Sequence, residues 1–304
     1  MKYIPSKFRT LFHVRFLKRT WKYQRLKLFR AEKLYTSKNY QMFLETFKNN
    51  FPEYVYFCPF RQKEVISTPL DSIRRVYVPR QDLNSLKKTR RKDNLQEMTL
   101  HLIELLSIES SIPLEDFGVH GSIALNMHTP KSDIDFVVYG AENFRNIEDT
   151  ISKLVEEGTL NYIVKNRLDA ARLYKGRYQN KIFMYNAIRK LEEVDTKYGT
   201  HKYSPIKHVK FQCKISDDNE AMFRPAIYKI ENCKLSRSNL AFLESKTPKF
   251  VVSMIGCYRN IAKRGSNVEV SGMLEQVKNI KTGEISHQVV VGTGMKEDEY
   301  IWPI

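Results

Sequence analysis

Four residues in the stretch FGVHGSIALNMHTPKSDIDFVVYG, positions 117–140, are of the types and at the spacing that chemistry on phosphates requires. Asp133 and Asp135 stand one residue apart at the head of the apolar run Phe136-Val137-Val138-Tyr139, a strand by composition. Side chains two apart on a strand share a face, so both carboxylates project together while Ile134 enters the core. Two adjacent carboxylates repel unless a cation lies between them, and an all-oxygen donor set suits Mg²⁺, which keeps waters and takes substrate phosphate oxygens. Upstream, Gly121 lets the backbone approach an anion closely, and Ser122 offers an N–H and a hydroxyl at the start of a helical turn. Each fragment alone is common. The order of apolar strand, Gly-Ser, helical turn, ten intervening residues, Asp-x-Asp and apolar strand is far more restrictive.

The flanking sequence supplies the elements that must hold these groups. Before the motif, Leu95, Met98, Leu102 and Leu105 recur at helical spacing, and Asp93 with Gln96 three residues on forms a capping-box pattern. After it, Ile147, Ile151, Leu154 and Val155 line one helical face that stops at Gly158. Residues 160–205 read as patchily helical and irregular. Further on, IKHVKFQCKI alternates, with Val209, Phe211, Cys213 and Ile215 on one face and His208, Lys210, Gln212 and Lys214 on the other, as a half-buried strand does. AMFRPAIYKI is its expected partner across a turn at SDDNE. The tail reads as two strands joined through NIKTGE, and nearer the start EYVYFCPF and RRVYVP read as two more.

The chain has 304 residues and a net charge of +17, from 51 Lys+Arg against 34 Asp+Glu. Such an excess attracts polyanions, because neutralised phosphates release condensed counterions. Residues 1–50 concentrate it, with 13 Lys+Arg and two acids, Glu32 and Glu45. Aromatics interleave with these charges in FLKRTWKYQRLKLFRAEKLY, read as partly helical, and the connector SLKKTRRKDN as a solvated loop. Arg19, Trp21, Lys22, Arg25, Lys87, Arg90 and Arg91 are the candidate nucleic-acid contacts from these two stretches: cations for phosphates and an indole for stacking. An amphipathic segment whose aromatics pack on its neighbours explains the first stretch equally well. The four scattered cysteines argue against a zinc site or disulfide framework. With neither a secretory signal nor a membrane-length apolar run, the protein is expected to be soluble and cytoplasmic.

The order VHGS…SDIDFVVY closely resembles the nucleotidyltransferase signature of the DNA polymerase β superfamily, most strongly over residues 93–158. More loosely, FRPAIYKI, GMLEQV and EYIWP resemble an archaeal group of predicted nucleotidyltransferases. The resemblance implies an α+β fold: a polymerase β-like core of a small mixed sheet with flanking helices. A basic N-terminal region and a small β-rich C-terminal module would complete the chain, with boundaries at 1–90, 91–235 and 236–304. It implies that Gly121 and Ser122 hold the β- and γ-phosphates of a nucleoside triphosphate. Asp133 and Asp135 would bind two Mg²⁺ ions, with Mn²⁺ as the alternative, and a nucleoside monophosphate would pass to an acceptor hydroxyl. RNA of tRNA-like kind is the acceptor suggested by superfamily relatives, ahead of other nucleic acid and of a small-molecule or protein hydroxyl. Many members place a third carboxylate on a later strand. The strand IKHVKFQCKI carries none, which leaves three options: Asp218 in the turn beyond it, a two-carboxylate site, or nucleotide binding without turnover. His120 and His128 flank the motif and could contact phosphate or metal, with a structural role as the default, and Arg167, Arg172 and Arg177 could face the triphosphate, with solvated helix surface as the default. The competing functional class is a non-catalytic nucleic-acid-binding protein on a transferase fold.

Overall fold

The basic N-terminal stretch folds as strands. In WKYQRLKLF, Trp21, Tyr23, Leu26 and Leu28 alternate with charged residues on either side of a turn at Gln24, whose φ is 52°. The period is two, which corrects the partly helical reading. In the computed structural model, which describes residues 3–33, 36–235, 246–296 and 298–304, β1 (Ile4–Pro5), β2 (Trp21–Tyr23) and β3 (Leu26–Phe29) form a sheet of order β1-β3-β2. Helix α1 (Ser37–Asn50) starts where the Thr36 hydroxyl accepts the Asn39 N–H, and buries Phe43 and Phe47 against Ile4, Phe12 and Ala31. The hairpin of β4 (Val55–Cys58) and β5 (Lys63–Ile66) follows. The second strand expected at RRVYVP is absent. That segment is irregular and exposed, with Val76 67% exposed, and its Pro79 opens a helix instead.

Helix α2 (Pro79–Lys88) takes up the first half of the basic stretch expected to be a loop, because Leu83 and Leu86, three apart, give it a buried stripe. The expected capping box is present on α3 (Asn94–Ser110): the Asp93 carboxylate accepts the Gln96 N–H, and the Gln96 side chain accepts the Asp93 N–H. Then come β6 (Phe117–Val119), α4 (Gly121–Ala124), β7 (Ile134–Tyr139) and α5 (Ala141–Glu156), with Gly158 at φ 78° just past its end. The stretch read as patchily helical holds more strand than helix: β8 (Leu160–Tyr162), a short α6 (Arg167–Arg172), β9 (Lys175–Tyr178) and β10 (Lys181–Ile188). Its period is hidden because Ile182, Met184 and Ile188, on the less buried face of β10, are apolar too. The five strands form one sheet of order β6-β7-β10-β9-β8, with β7 and β10 parallel and the other pairs antiparallel. One face carries Phe117, Val119, Ile134, Phe136, Val138, Phe183, Tyr185 and Ala187, all buried, and α3 and α5 pack against its strands. The Phe136 and Tyr185 rings stack across the parallel pair at 5.8 Å.

The remaining strands close on themselves. They are β11 (His201–Glu220), β12 (Ala226–Leu235), β13 (Phe250–Ser253), β14 (Asn267–Asn279), β15 (Ile285–Val291) and β16 (Tyr300–Pro303). The ring runs β11-β12-β13-β15-β14 and back to β11, with β13 and β15 parallel, and β16 pairs with the outer part of β14. Val209, Phe211, Cys213 and Ile215 are buried, as their alternation predicts, together with Tyr228, Val251, Val289 and Leu274. The strand β11 continues through SDDNE to Glu220, so the turn to β12 falls at 221–225.

Contacts divide the chain into two compact units, residues 75–195 and residues 1–74 with 196–304. These cuts differ from the boundaries expected at 90 and 235: α2 packs on β6, and the ladders of β11 with β12 and β14 hold it in the barrel. Residues 236–245, where the C-terminal module was expected to begin, lie outside the described residues. Among the described residues no helix is long and apolar enough to cross a membrane.

Candidate active site

The site is built on the sheet of the 75–195 unit, on the face opposite its aromatic core. Ile134 and Phe136 are fully buried, so the half-exposed Asp135 between them points the other way, and Asp133, just before the strand, shares its parity. Strand β6 enters antiparallel to β7, and where it ends the His120 N–H donates to the Asp135 carbonyl at 3.1 Å. The chain then turns sharply at Gly121, with φ 68°. A Cβ at Gly121 would lie 2.2 Å from Asp135 Oδ2, so glycine is required twice, for its dihedral and for the close approach of backbone to carboxylate. Ser122 follows in the one-turn helix α4, which closes when its carbonyl accepts the Met127 N–H at 2.8 Å. Gly121, Ser122 and Asp135 therefore meet at one place, on the face that Asp133 also serves.

Neighbouring strands add Asn186 and Lys175, which the sequence reading did not single out, and place Arg177, which it did. Met184 of β10 is the register partner of Asp135, and Asn186 that of Val137, which puts the Asn186 side chain on the acidic face. Asn186 Nδ2 lies 3.5 Å from His120 Nε2. On β9, Lys175 opposes Met184 and Arg177 opposes Ile182, so two cations share that face beyond β10. The available signal was the alternation of KIFMYNAI with a tight turn at Gln179-Asn180 before it, where Gln179 has φ 49°.

The strand that pairs in parallel with β7 is thus β10 and not IKHVKFQCKI, and β10 carries no acid. Asp218 belongs to the other compact unit, where its Oδ1 accepts the Arg264 N–H at 3.1 Å. The His128 side chain is buried, with Nε2 2.7 Å from Asp93 Oδ2, tying the motif to the start of α3. Arg172 departs from the solvated reading, being buried with its guanidinium 3.7 Å from the Tyr174 ring centroid. Arg167 opens α6 and is exposed. At the far end of β7, Asp116 binds Lys190 at 2.7 Å, Asn143 at 2.8 Å and Arg80 at 3.2 Å, anchoring the ends of the strands that carry the site.

Of the candidate nucleic-acid contacts, Arg19, Trp21, Lys22 and Arg25 gather on the β2–β3 hairpin. The Arg19 guanidinium sits 5.3 Å from the Trp21 ring centroid, and the indole also meets Tyr3 edge-on at 5.5 Å. Lys87, Arg90 and Arg91 are exposed at and after the end of α2, in the other unit.

The donor set at Asp133 and Asp135 fits a hard divalent cation: both are carboxylates, and the closeness of Gly121 leaves no room for a side chain beside Asp135. Among the described residues no group of three or more His, Cys, Asp or Glu could hold a metal. Two carboxylates, with water and substrate oxygens completing the shell, is the Mg²⁺ pattern rather than a closed structural site.

A curated, uncharacterized protein of Methanocaldococcus jannaschii is 26% identical over 223 residues, spanning 66% of this chain and 62% of the relative. The match thus takes in less than two thirds of the relative's own length. No solved structure matches the chain. The family model "Nucleotidyltransferase domain" matches residues 102–190, from the middle of α3 to just past β10. Residues 102–190 of this chain are a nucleotidyltransferase domain of the polymerase β-like kind.

Proposed function

We propose that the protein transfers a nucleoside monophosphate from a nucleoside triphosphate to an acceptor hydroxyl on RNA, in a Mg²⁺-dependent reaction. The observation that carries this reading is the pressing of the Gly121-Ser122 turn against the Asp135 carboxylate, on the face Asp133 shares. Gly121 and Ser122 supply backbone amides and a hydroxyl for the β- and γ-phosphates. Asp133 and Asp135 would hold Mg²⁺, or Mn²⁺ in its place, and the bound metal would neutralise phosphate charge and lower the pKa of the attacking hydroxyl. Phosphoryl transfer asks for positioning and charge neutralisation above all. This chain's share is a rigid strand under the two acids, a backbone cradle beside them, and Lys175 and Arg177 on the same sheet face as further anion partners. The net charge of +17 supports a polynucleotide acceptor over a small molecule.

One observation favours the second reading, a non-catalytic nucleic-acid-binding protein: the strand beside β7 presents Asn186 and no acid. Incubation with Mg²⁺, α-labelled nucleoside triphosphates and total RNA separates the two. The transferase reading expects label covalently attached to RNA ends. RNA bound without any label transfer, to RNA or to added small-molecule and protein hydroxyls, supports the second reading.

A further inference from the structure

The barrel unit contains a surface that the transfer reaction leaves unused. Its five strands close in the order first-second-third-fifth-fourth, with the third and fifth parallel. That is the connectivity of oligonucleotide- and oligosaccharide-binding barrels, in which the loop between the fourth and fifth strands borders the ligand. Connectivity alone does not make a site, and the residues at that loop are what carry the case.

The loop here is Ile280–Glu284, and it is held against a second segment: the Ile280 N–H donates to the Thr200 carbonyl at 3.0 Å. The β4–β5 hairpin joins them, since the Tyr203 N–H donates to the Phe60 carbonyl at 2.7 Å. Tyr198 stands on this assembly with 72% of its surface exposed. It is fixed rather than floppy. The Phe60 ring supports it edge-on at 5.0 Å, and its hydroxyl lies 3.2 Å from that of Tyr56, itself 45% exposed. Gly199, at φ 87°, lets the chain pass within 3.2 Å of the Phe60 ring, measured from a Cβ built there. Beside it the Arg61 guanidinium lies 3.8 Å from the Tyr203 ring centroid. Exposed Tyr rings held by their neighbours, with Ile280 48% exposed alongside, form an apolar surface that water solvates poorly.

The charge on the segments that carry and adjoin Tyr198, the start of β11 and the end of β14 with its loop, points to the occupant. Lys197, Lys202, Lys278 and Lys281 are exposed, and among the described residues none is paired with a carboxylate. Lys202 and Lys278 are direct register partners across β11 and β14. Like charges directly opposite in a ladder cost stability, and an anion lying over both removes the cost. Pre-fixed aromatic faces with unpaired lysines close by along the chain match unpaired bases joined by phosphates, whereas a duplex hides its base faces.

We propose that Tyr198 and Tyr56, with Lys197, Lys202, Lys278 and Lys281, form a platform for single-stranded RNA, on which a base stacks on Tyr198 while the lysines take the neighbouring phosphates. The choice of RNA rests on the acceptor reading above; the platform itself does not need the transferase reaction. The test is fluorescence anisotropy of the full chain with a labelled single-stranded RNA and with a duplex of equal length. The substitutions are Tyr198→Ala, Tyr198→Phe and Lys202→Gln/Lys278→Gln, each with a thermal melt to verify folding. Tyr198→Ala is expected to weaken single-strand binding by about fivefold or more, and Tyr198→Phe, which keeps the ring, to restore most of it. Lys202→Gln/Lys278→Gln is expected to flatten the salt dependence by roughly one to two counterions while leaving or raising the melting temperature. Tyr198→Ala binding like the unsubstituted protein, or a duplex binding at least as tightly as the single strand, overturns the platform. A chain that binds RNA in this way yet transfers no nucleotide leaves the platform standing and removes the transferase reading instead.

Discussion

At the scale of single residues, Gly121 carries the sharpest expectation. Its φ of 68° and the 2.2 Å between a built Cβ and Asp135 Oδ2 mean that alanine there must strain the turn and displace the carboxylate. The left-handed dihedral costs roughly 1–2 kcal/mol with a Cβ, a loss a small domain survives. Misplacing a catalytic group by about an ångström costs on the order of 100-fold in rate. Gly121→Ala is therefore expected to retain its fold, seen by circular dichroism, and to lose transfer by about 100-fold. Much of this centre was legible in the sequence, because Gly121, Ser122, Asp133 and Asp135 lie within 15 residues and strand parity alone puts the two acids together. Asn186 was not legible. Its place depends on a parallel pairing formed across a long crossover, and parallel register leaves no local mark in sequence.

At the scale of elements, the start of α3 holds the motif from behind. Burial pushes the Asp93 carboxyl up, but the N–H of Gln96 and the His128 ring pull harder and hold it below its usual value. A carboxylate whose folded pKa is depressed stabilises the protein above its unfolded pKa of about 3.9, and that stability disappears as pH falls through the lower folded value. Asp93→Asn is expected to keep much of the cap, lose the ionic contact to His128, and flatten the acid limb of the stability curve below about pH 4. Asp93→Ala is expected to cost about 1 kcal/mol in urea denaturation at neutral pH. The cap, α3 and α5 were all readable because helix signals are local: a capping box, a 3.6-residue apolar period and a glycine stop. The β2–β3 hairpin and β8–β10 were misread for opposite reasons. In the hairpin the strands are only three and four residues long, too short for their alternation to stand out, and in β10 apolar residues on the less buried face hid the alternation.

At the scale of the whole molecule, the charge is divided unequally. The 75–195 unit holds 18 Lys+Arg against 18 Asp+Glu, whereas the other unit holds 33 against 16, so the entire excess of +17 lies outside the unit that carries the candidate site. Composition reported the excess but not this partition, because the barrel unit is assembled from both ends of the chain. Polyanion affinity is accordingly expected to survive changes at the acids: Asp133→Asn/Asp135→Asn should bind RNA with the salt slope of the unsubstituted chain. Chemistry should not survive them. The most direct test is the single-turnover rate of nucleotide transfer with Mg²⁺, measured for the unsubstituted protein and for Asp133→Asn/Asp135→Asn at matched RNA occupancy. Losing metal-assisted charge stabilisation worth several kcal/mol predicts a fall of at least about 1,000-fold with RNA binding unchanged. Transfer that persists in the double variant at a comparable rate would place the chemistry elsewhere and contradict the account.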